Sequence, residues 1–276
     1  MKTLLVGGIE LALVDRGAGP PVVLVHGFPL DHSMWNAQIE ALSKTHRVIA
    51  PDLRGFGRSR MSAGAYGPGA TATMEQFADD LAGLLDALGV AEPVAICGLS
   101  MGGYIALRFV RKHRSRLNRL ILCDTKSLGD TPEIAAGRRL MAARVLVEGP
   151  TPLVEAMIPR LFAPATAKDR PAVVESLRRV MMGNDPRAIA AAALGMAERP
   201  DATVWLPEID CPTLVIVGKL DAISPPAEMR AVVAAIPAAQ YVEIAGAGHM
   251  TNIEKPEEFN AAVERFLEDA KASRAS

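Results

Sequence analysis

PVAICGLSMGGYIALRFVRKHR, residues 93–114, joins a short apolar run to a basic, helix-compatible stretch through Gly98-Leu99-Ser100-Met101-Gly102. A continuous run such as PVAIC fits a strand covered on both faces, and the following stretch sets Tyr104, Ile105, Leu107 and Phe109 among basic residues. A tight strand-to-helix turn holds its central residue at strained backbone angles, and glycines two residues before and after let the chain double back without collision. The turn lifts the Ser100 hydroxyl out of the sheet edge, at a helix N-terminus whose free N–H groups favour developing negative charge. Ser100 is the candidate nucleophile.

Outward from this turn the same rhythm continues. VVLVHG (22–27), RVIAPD (47–52) and RLILCD (119–124) read as further buried, parallel strands. MEQFADDLAGLLDALG (74–89) places Phe77, Leu81, Leu84, Leu85 and Leu88 on one helical face, with Gly89 as the stop. From about 130 to 204 the strand pattern ceases, and Pro132, Gly149-Pro150, Pro164, Pro171, Pro186 and Pro200 divide the chain into about four helices. TLVIVG (213–218) and YVEIAG (241–246) resume the strands, and PEEFNAAVERFLEDA (256–270) closes with a helix. The fold class is α/β: a core of 1–127 and 206–276, interrupted by a helical insertion at 128–205 that reads as a lid. SAGAYGPGATAT (62–73) reads as a surface loop and the tail after Asp269 as frayed. Met141, Met157, Met181, Met182 and Met196 of the insertion, with Trp35 and Met250 near the flanking loops, are the candidates to line a substrate pocket, core packing being the alternative for the methionines.

Composition narrows the partners. The 276 residues are 50% hydrophobic and 22% charged, which fits a globular chain, and 30 Lys plus Arg against 31 Asp plus Glu leave a net charge of -1. That balance offers no footprint for nucleic acid or an anionic membrane. Cys97, Cys123 and Cys211 are too few and too scattered for a disulfide framework and read as buried thiols. Glu10 breaks the apolar start TLLVGG before it can form an export signal, and no run of 18 apolar residues occurs. A cytoplasmic protein acting on a small molecule is expected, with homo-oligomerisation left open.

A serine hydroxyl needs a base, and the base needs an orienting acid. Of the five histidines, His113 and His46 read as solvated, His32 has no clear partner, and His26, in VHGF, reads as structural. His249, in GAGHM just after the last strand, occupies a loop beyond the C-terminal sheet edge, where open α/β proteins assemble sites. Asp221, in GKLDAISPP after TLVIVG, is the candidate acid, with Asp124 the competitor. Two backbone donors would hold an oxyanion: Met101 beside the nucleophile, and Phe28 in the sharp His26-Gly27-Phe28-Pro29 turn, where Pro29 has no N–H and Gly27 is the alternative. No histidine and carboxylate set has ligand spacing in sequence, and neither GAG segment completes a dinucleotide loop, so neither metal nor organic cofactor is implied.

With HGF (26–28), DLRGFGRS (52–59), GLSMGG (98–103), Asp221 in GKLD and His249 in GAGHM in that order, the chain resembles the α/β-hydrolase superfamily along essentially its whole length. The resemblance implies an eight-stranded, mostly parallel sheet with a helical cap inserted after the sixth strand. It is most similar to the small bacterial carboxylesterase and enol-lactonase branch, which implies cleavage of a small ester or lactone through an acyl-enzyme on Ser100. Dehalogenases and epoxide hydrolases of the superfamily carry an aspartate where this chain has Ser100. Cofactor-free haloperoxidases or perhydrolases and some lyases share the Ser/Asp/His set, and a non-catalytic ligand-binding protein on the same scaffold is the alternative from another class. Arg138, Arg139 and Arg144 would suit an acidic lactone, solvation being their ordinary fate.

Overall fold

The computed structural model describes residues 1–60 and 69–273, the last five as backbone alone. Most of the expected loop at 62–73 and the final three residues lie outside that range. Strands β1 (Lys2–Val6), β2 (Ile9–Arg16), β3 (Pro21–Val25), β4 (Arg47–Pro51), β5 (Val94–Leu99), β6 (Leu117–Cys123), β7 (Thr213–Gly218) and β8 (Gln240–Ile244) form one sheet. Its order is β1-β2-β4-β3-β5-β6-β7-β8. All pairs are parallel except β1 with β2 and β2 with β4. The central strands β3, β5, β6 and β7 are buried almost throughout, as their unbroken apolar runs require. The edge strand β1 leaves Leu5 exposed.

The helices are α1 (Asn36–Leu42), α2 (Met74–Ala87), α3 (Met101–Lys112), α4 (Pro132–Glu148), α5 (Thr151–Leu161), α6 (Pro164–Asp169), α7 (Pro171–Met182), α8 (Pro186–Ala197), α9 (Pro226–Ala235), α10 (Thr251–Glu254) and α11 (Pro256–Ser273). Two apolar layers sandwich the sheet, one under α2, α3 and α9 and the other under α1 and α11. In α2 the expected face holds: Phe77, Leu81, Leu84 and Leu85 are buried and Leu88 packs beside them. Thr73 and Gln76 close its N-terminus as a capping box.

The insertion sits between β6 and β7 and forms five α-helices, α4 to α8, where the proline punctuation suggested about four. Each begins with a proline in its first two positions, because the missing N–H costs nothing there. Pro164 and Pro171 each start a helix of their own, the six-residue α6 and then α7. Pro200 starts none; a 3-10 turn at Thr203–Glu208 leads into β7. The closing helix runs to Ser273, past the expected end at 270. No helix among the described residues is long and apolar enough to cross a membrane.

Candidate active site

Ser100 links β5 to α3 with φ 55° and ψ -113°, a left-handed conformation that costs a non-glycine residue roughly 1–3 kcal/mol. Backbone bonds hold it there. Its N–H donates to the Cys123 carbonyl (2.9 Å), and its carbonyl accepts from the Thr125 hydroxyl (2.7 Å) and the Gly103 amide (2.9 Å). The flanking glycines are sterically required: a Cβ on Gly98 would lie 2.2 Å from the Gly102 oxygen, and one on Gly102 would lie 2.2 Å from the Val25 oxygen. The nucleophile candidate is half-buried at the C-terminal edge of the sheet.

Asp221 and His249 meet at the same edge, delivered by the loops after β7 and β8. The Asp221 Oδ2 lies 2.8 Å from His249 Nδ1. A carboxylate only accepts, so Nδ1 carries the proton and Nε2 is the basic nitrogen of the neutral ring. The other carboxylate oxygen accepts the Ile223 (2.7 Å) and Ser224 (2.9 Å) amides. Burial opposes ionisation of Asp221, but His249 and these amides outweigh it and hold the carboxyl below its usual range. Asp124 is placed differently. It is fully buried, accepts from the Gly218 amide (2.8 Å) and the Thr251 hydroxyl, and neighbours Asp221 rather than an imidazole. Burial first, and then the Asp221 charge, push its carboxyl well above the usual range. The structure therefore pairs the histidine with Asp221 and leaves Asp124 as a buried neighbour.

The turn after β3 lies against Ser100: a Cβ on Gly27 would be 3.6 Å from the Ser100 Cβ. Within it, the Gly27 amide donates to Met34 Sδ (3.3 Å) and the Leu30 amide to the Gly27 oxygen (3.0 Å). Pro29 has no N–H, so Phe28 carries the uncommitted amide of this turn among the described residues. Met101 begins α3, where an amide has no helical acceptor. His26 is structural, as expected: its Nδ1–H donates to the Gly27 oxygen and its Nε2 accepts the Leu53 amide, both at 2.9 Å. Burial lowers its pKa, in keeping with a neutral ring.

The helical insertion touches both loops that carry these groups. The Leu161 carbonyl, at the end of α5, accepts the His249 and Met250 amides (3.0 and 3.2 Å). Buried Glu254 accepts from Ala163 of the insertion (2.8 Å) and from Gly248 beside the histidine (2.7 Å). On the other side Asn184 reaches the turn after β3. Neither Glu254 nor Asn184 announces itself in sequence, since the bonds by which they join the insertion to the core span 91 and 155 residues.

The pocket candidates fare unevenly. Trp35 is fully buried with its ring 6.0 Å from that of Phe259, between α1 and α11, so it belongs to the core and not to a pocket wall. Met181 and Met250 are buried in the same apolar layer, and Met196 in the opposite one. Met141 and Met157 are half-buried, Met157 touching both layers, while Met182 is exposed. Of the arginines, Arg138 pairs with Asp130 (2.5 Å) and Arg144 with Glu148 (2.9 Å).

Three other histidines depart from expectation. His46 is buried rather than solvated, and His113 is partly covered and bonded to Asp79 (2.9 Å). His32 has a partner after all: its Nδ1 lies 2.6 Å from Asp52 Oδ1. Asp31, His32 and Asp52 together form a cluster of ligand-type atoms within 4.8 Å, which sequence spacing did not reveal. Their atoms are engaged in hydrogen bonds. Asp52 accepts from the His32 ring and amide and from the Arg58 amide, and Asp31 caps Ser33. Burial disfavours a charged His32, yet the Asp52 hydrogen bond and charge raise its pKa above the ordinary 6.5. A raised histidine stabilises fully below 6.5 and loses that contribution as pH climbs through the folded value. His32→Asn is expected to cost roughly 1–3 kcal/mol at pH 6 and clearly less at pH 9 in urea denaturation. A difference independent of pH would overturn the ion-pair assignment.

The model of the alpha/beta hydrolase fold family matches residues 20–256, and the chain belongs to that family. It is similar to the solved structure of a thermophilic esterase from Thermogutta terrifontis, determined with malate bound, at 50% identity and a TM-score of 0.92 over 97% of this chain and 98% of that one. It is similar to the enol-lactonase from Burkholderia xenovorans LB400, at 34% identity and a TM-score of 0.88 over 96% and 99%. A 3-oxoadipate enol-lactonase from Acinetobacter baylyi is 28% identical over 94% of this chain and 92% of its own length. These relatives support a hydrolytic enzyme.

Proposed function

We propose that the protein is a serine hydrolase that cleaves carboxylic esters of small substrates through an acyl-enzyme. The observation that carries this reading is the Asp221–His249 hydrogen bond of 2.8 Å, held at the sheet edge where Ser100 sits in its left-handed turn. In the first half-reaction His249 Nε2 takes the Ser100 proton as Oγ bonds to the ester carbonyl carbon. Asp221 keeps the ring in the required tautomer and offsets its positive charge. The Phe28 and Met101 amides bind the oxyanion, and the imidazolium returns the proton to the departing alkoxide. Water then attacks the acyl-enzyme by the same route, releasing the acid and restoring Ser100.

A second reading is lactone hydrolysis, in which the leaving alcohol stays tethered to the acyl group. The 34% identity to an enol-lactonase across 96% of the chain favours it. Both readings use the same groups. An ester series of graded acyl length, run beside simple lactones and an assay of peracid formation, separates them. Turnover of short aryl esters, with phosphonylation of Ser100 by an organophosphate, is expected. No turnover of any ester or lactone, with Ser100 unlabelled, would sink both and return a ligand-binding scaffold to consideration.

A further inference from the structure

Asn184 occupies the corner between α7 and α8 and is 5% exposed, an unusual place for an amide unless each polar atom is used. Its Oδ1 accepts the Gly57 amide at 2.7 Å. Its Nδ2 donates to the Pro29 carbonyl at 2.9 Å and to the Val180 carbonyl at 3.1 Å. One amide donor on one side and two carbonyls on the other fix the orientation of the group, since a flipped amide would set oxygen against oxygen. Three separate segments end on this side chain: the last turn of α7, the loop after β4, and the turn that carries Phe28. Phe28 and Phe56 also meet edge to face, with centroids 6.3 Å apart, so the two core loops already lean on each other where Asn184 ties them.

We propose that Asn184 is a positioning residue for the reaction: it clamps the oxyanion turn to the insertion, so that the Phe28 amide is aligned only while that corner is seated. The inference rests on the acyl-transfer reading above. The Gly27–Leu30 bond joins two residues of the turn itself, whereas the Asn184–Pro29 bond ties the turn to the insertion. The Pro29 carbonyl lies one residue beyond the donor. A cleft of about 420 Å³ lined by Asp31, Gly57, Arg58, Arg179 and Asn184 adjoins the clamp. Without the side chain, water from this cleft would solvate the Pro29 and Val180 carbonyls and leave the turn without its tie to the insertion, held by Met34, His26 and Phe56 alone. An oxyanion donor moved by a fraction of an ångström stabilises the transition state less while leaving the ester-binding walls in place.

The test compares wild type, Asn184→Ala and Asn184→Asp on 4-nitrophenyl butyrate, with phenylboronic acid as a probe that becomes tetrahedral on the serine. Asn184→Ala is expected to lower kcat about 10- to 100-fold, with KM changed less than about threefold and boronate affinity reduced in parallel with kcat. Asn184→Asp keeps an acceptor for Gly57 but turns an oxygen toward two carbonyls, so it should do no better than alanine; it supplies the readout if the alanine variant does not fold. A folded variant with wild-type kcat and boronate affinity, or one in which only KM or thermal stability moves, overturns the proposal. That outcome differs from failure of the acyl-transfer reading, in which wild type itself turns over no ester and binds no boronate.

Discussion

Ser100→Ala is expected to lower kcat for a small aryl ester about 10⁴- to 10⁶-fold while the protein remains folded. Removal of the nucleophile from a serine relay leaves only binding and the oxyanion donors to accelerate attack by water. Stability should change little, because the bonds that hold this residue use its backbone: the amide on Cys123, and the carbonyl receiving Thr125 and Gly103. Alanine keeps all of them and the same Cβ at φ 55°. Steady-state turnover beside a thermal melt checks both halves. Residual activity above about 1%, after contaminating wild type is excluded by active-site titration, would move the nucleophile elsewhere.

Asp221→Asn is expected to lower kcat about 10³- to 10⁴-fold, and Asp124→Asn less than about tenfold. The asymmetry follows from what each carboxyl touches. An amide at 221 would present an N–H to His249 Nδ1 and invert the ring, so that Nε2 carries the proton and no longer accepts one from Ser100. The pressure of burial and of the Asp221 charge favours a protonated Asp124, which an amide imitates closely in size; its oxygen still accepts the Gly218 amide, and its N–H meets the Thr251 oxygen once that hydroxyl turns its own hydrogen away. The depressed pKa of Asp221 keeps its charge below the ordinary 3.8, while the stability that goes with it is full above 3.8 and is lost as pH falls from there through the folded value. Kinetics of the two variants at pH 7 to 8 decide the matter. If Asp124→Asn were the more damaging, the acid assignment would pass to the end of β6.

Legibility in the sequence followed the range of the interactions concerned. The strand, the turn and the helix around Ser100 are written within about twenty contiguous residues, so periodicity and glycine spacing expose them. The Asp221–His249 pair was recoverable because each member follows a strand, the buried β7 or the half-exposed edge strand β8, and strand ends mark one edge of a parallel sheet. The N-terminal hairpin of β1 and β2 left no comparable trace in the apolar runs. β1 is mostly exposed, with Leu5 in solvent, and its three apolar residues Leu4, Leu5 and Val6 make too short a run to mark a covered strand. His32 with Asp52, and Asn184 with Pro29 and Gly57, join segments whose separation carries no periodic signal. The methionines of the insertion show the same limit from another side. Helical spacing says that Met157 and Met181 share the fate of an apolar face, but not whether that face meets a cavity or another helix.

The double hydrogen bond from the His249 and Met250 amides to Leu161 bears on attempts to re-engineer this protein by recombination. The five-helix segment is not an interchangeable cassette mounted on a self-sufficient reactor, because the backbone that seats the imidazole ends on a carbonyl belonging to that cassette. A chimera that imports α4 to α8 from a relative would have to rebuild the Leu161 carbonyl and Ala163 amide that hold the loop around His249, and the Asn184 side chain that holds the turn after β3. Selectivity and turnover would then have to be evolved together.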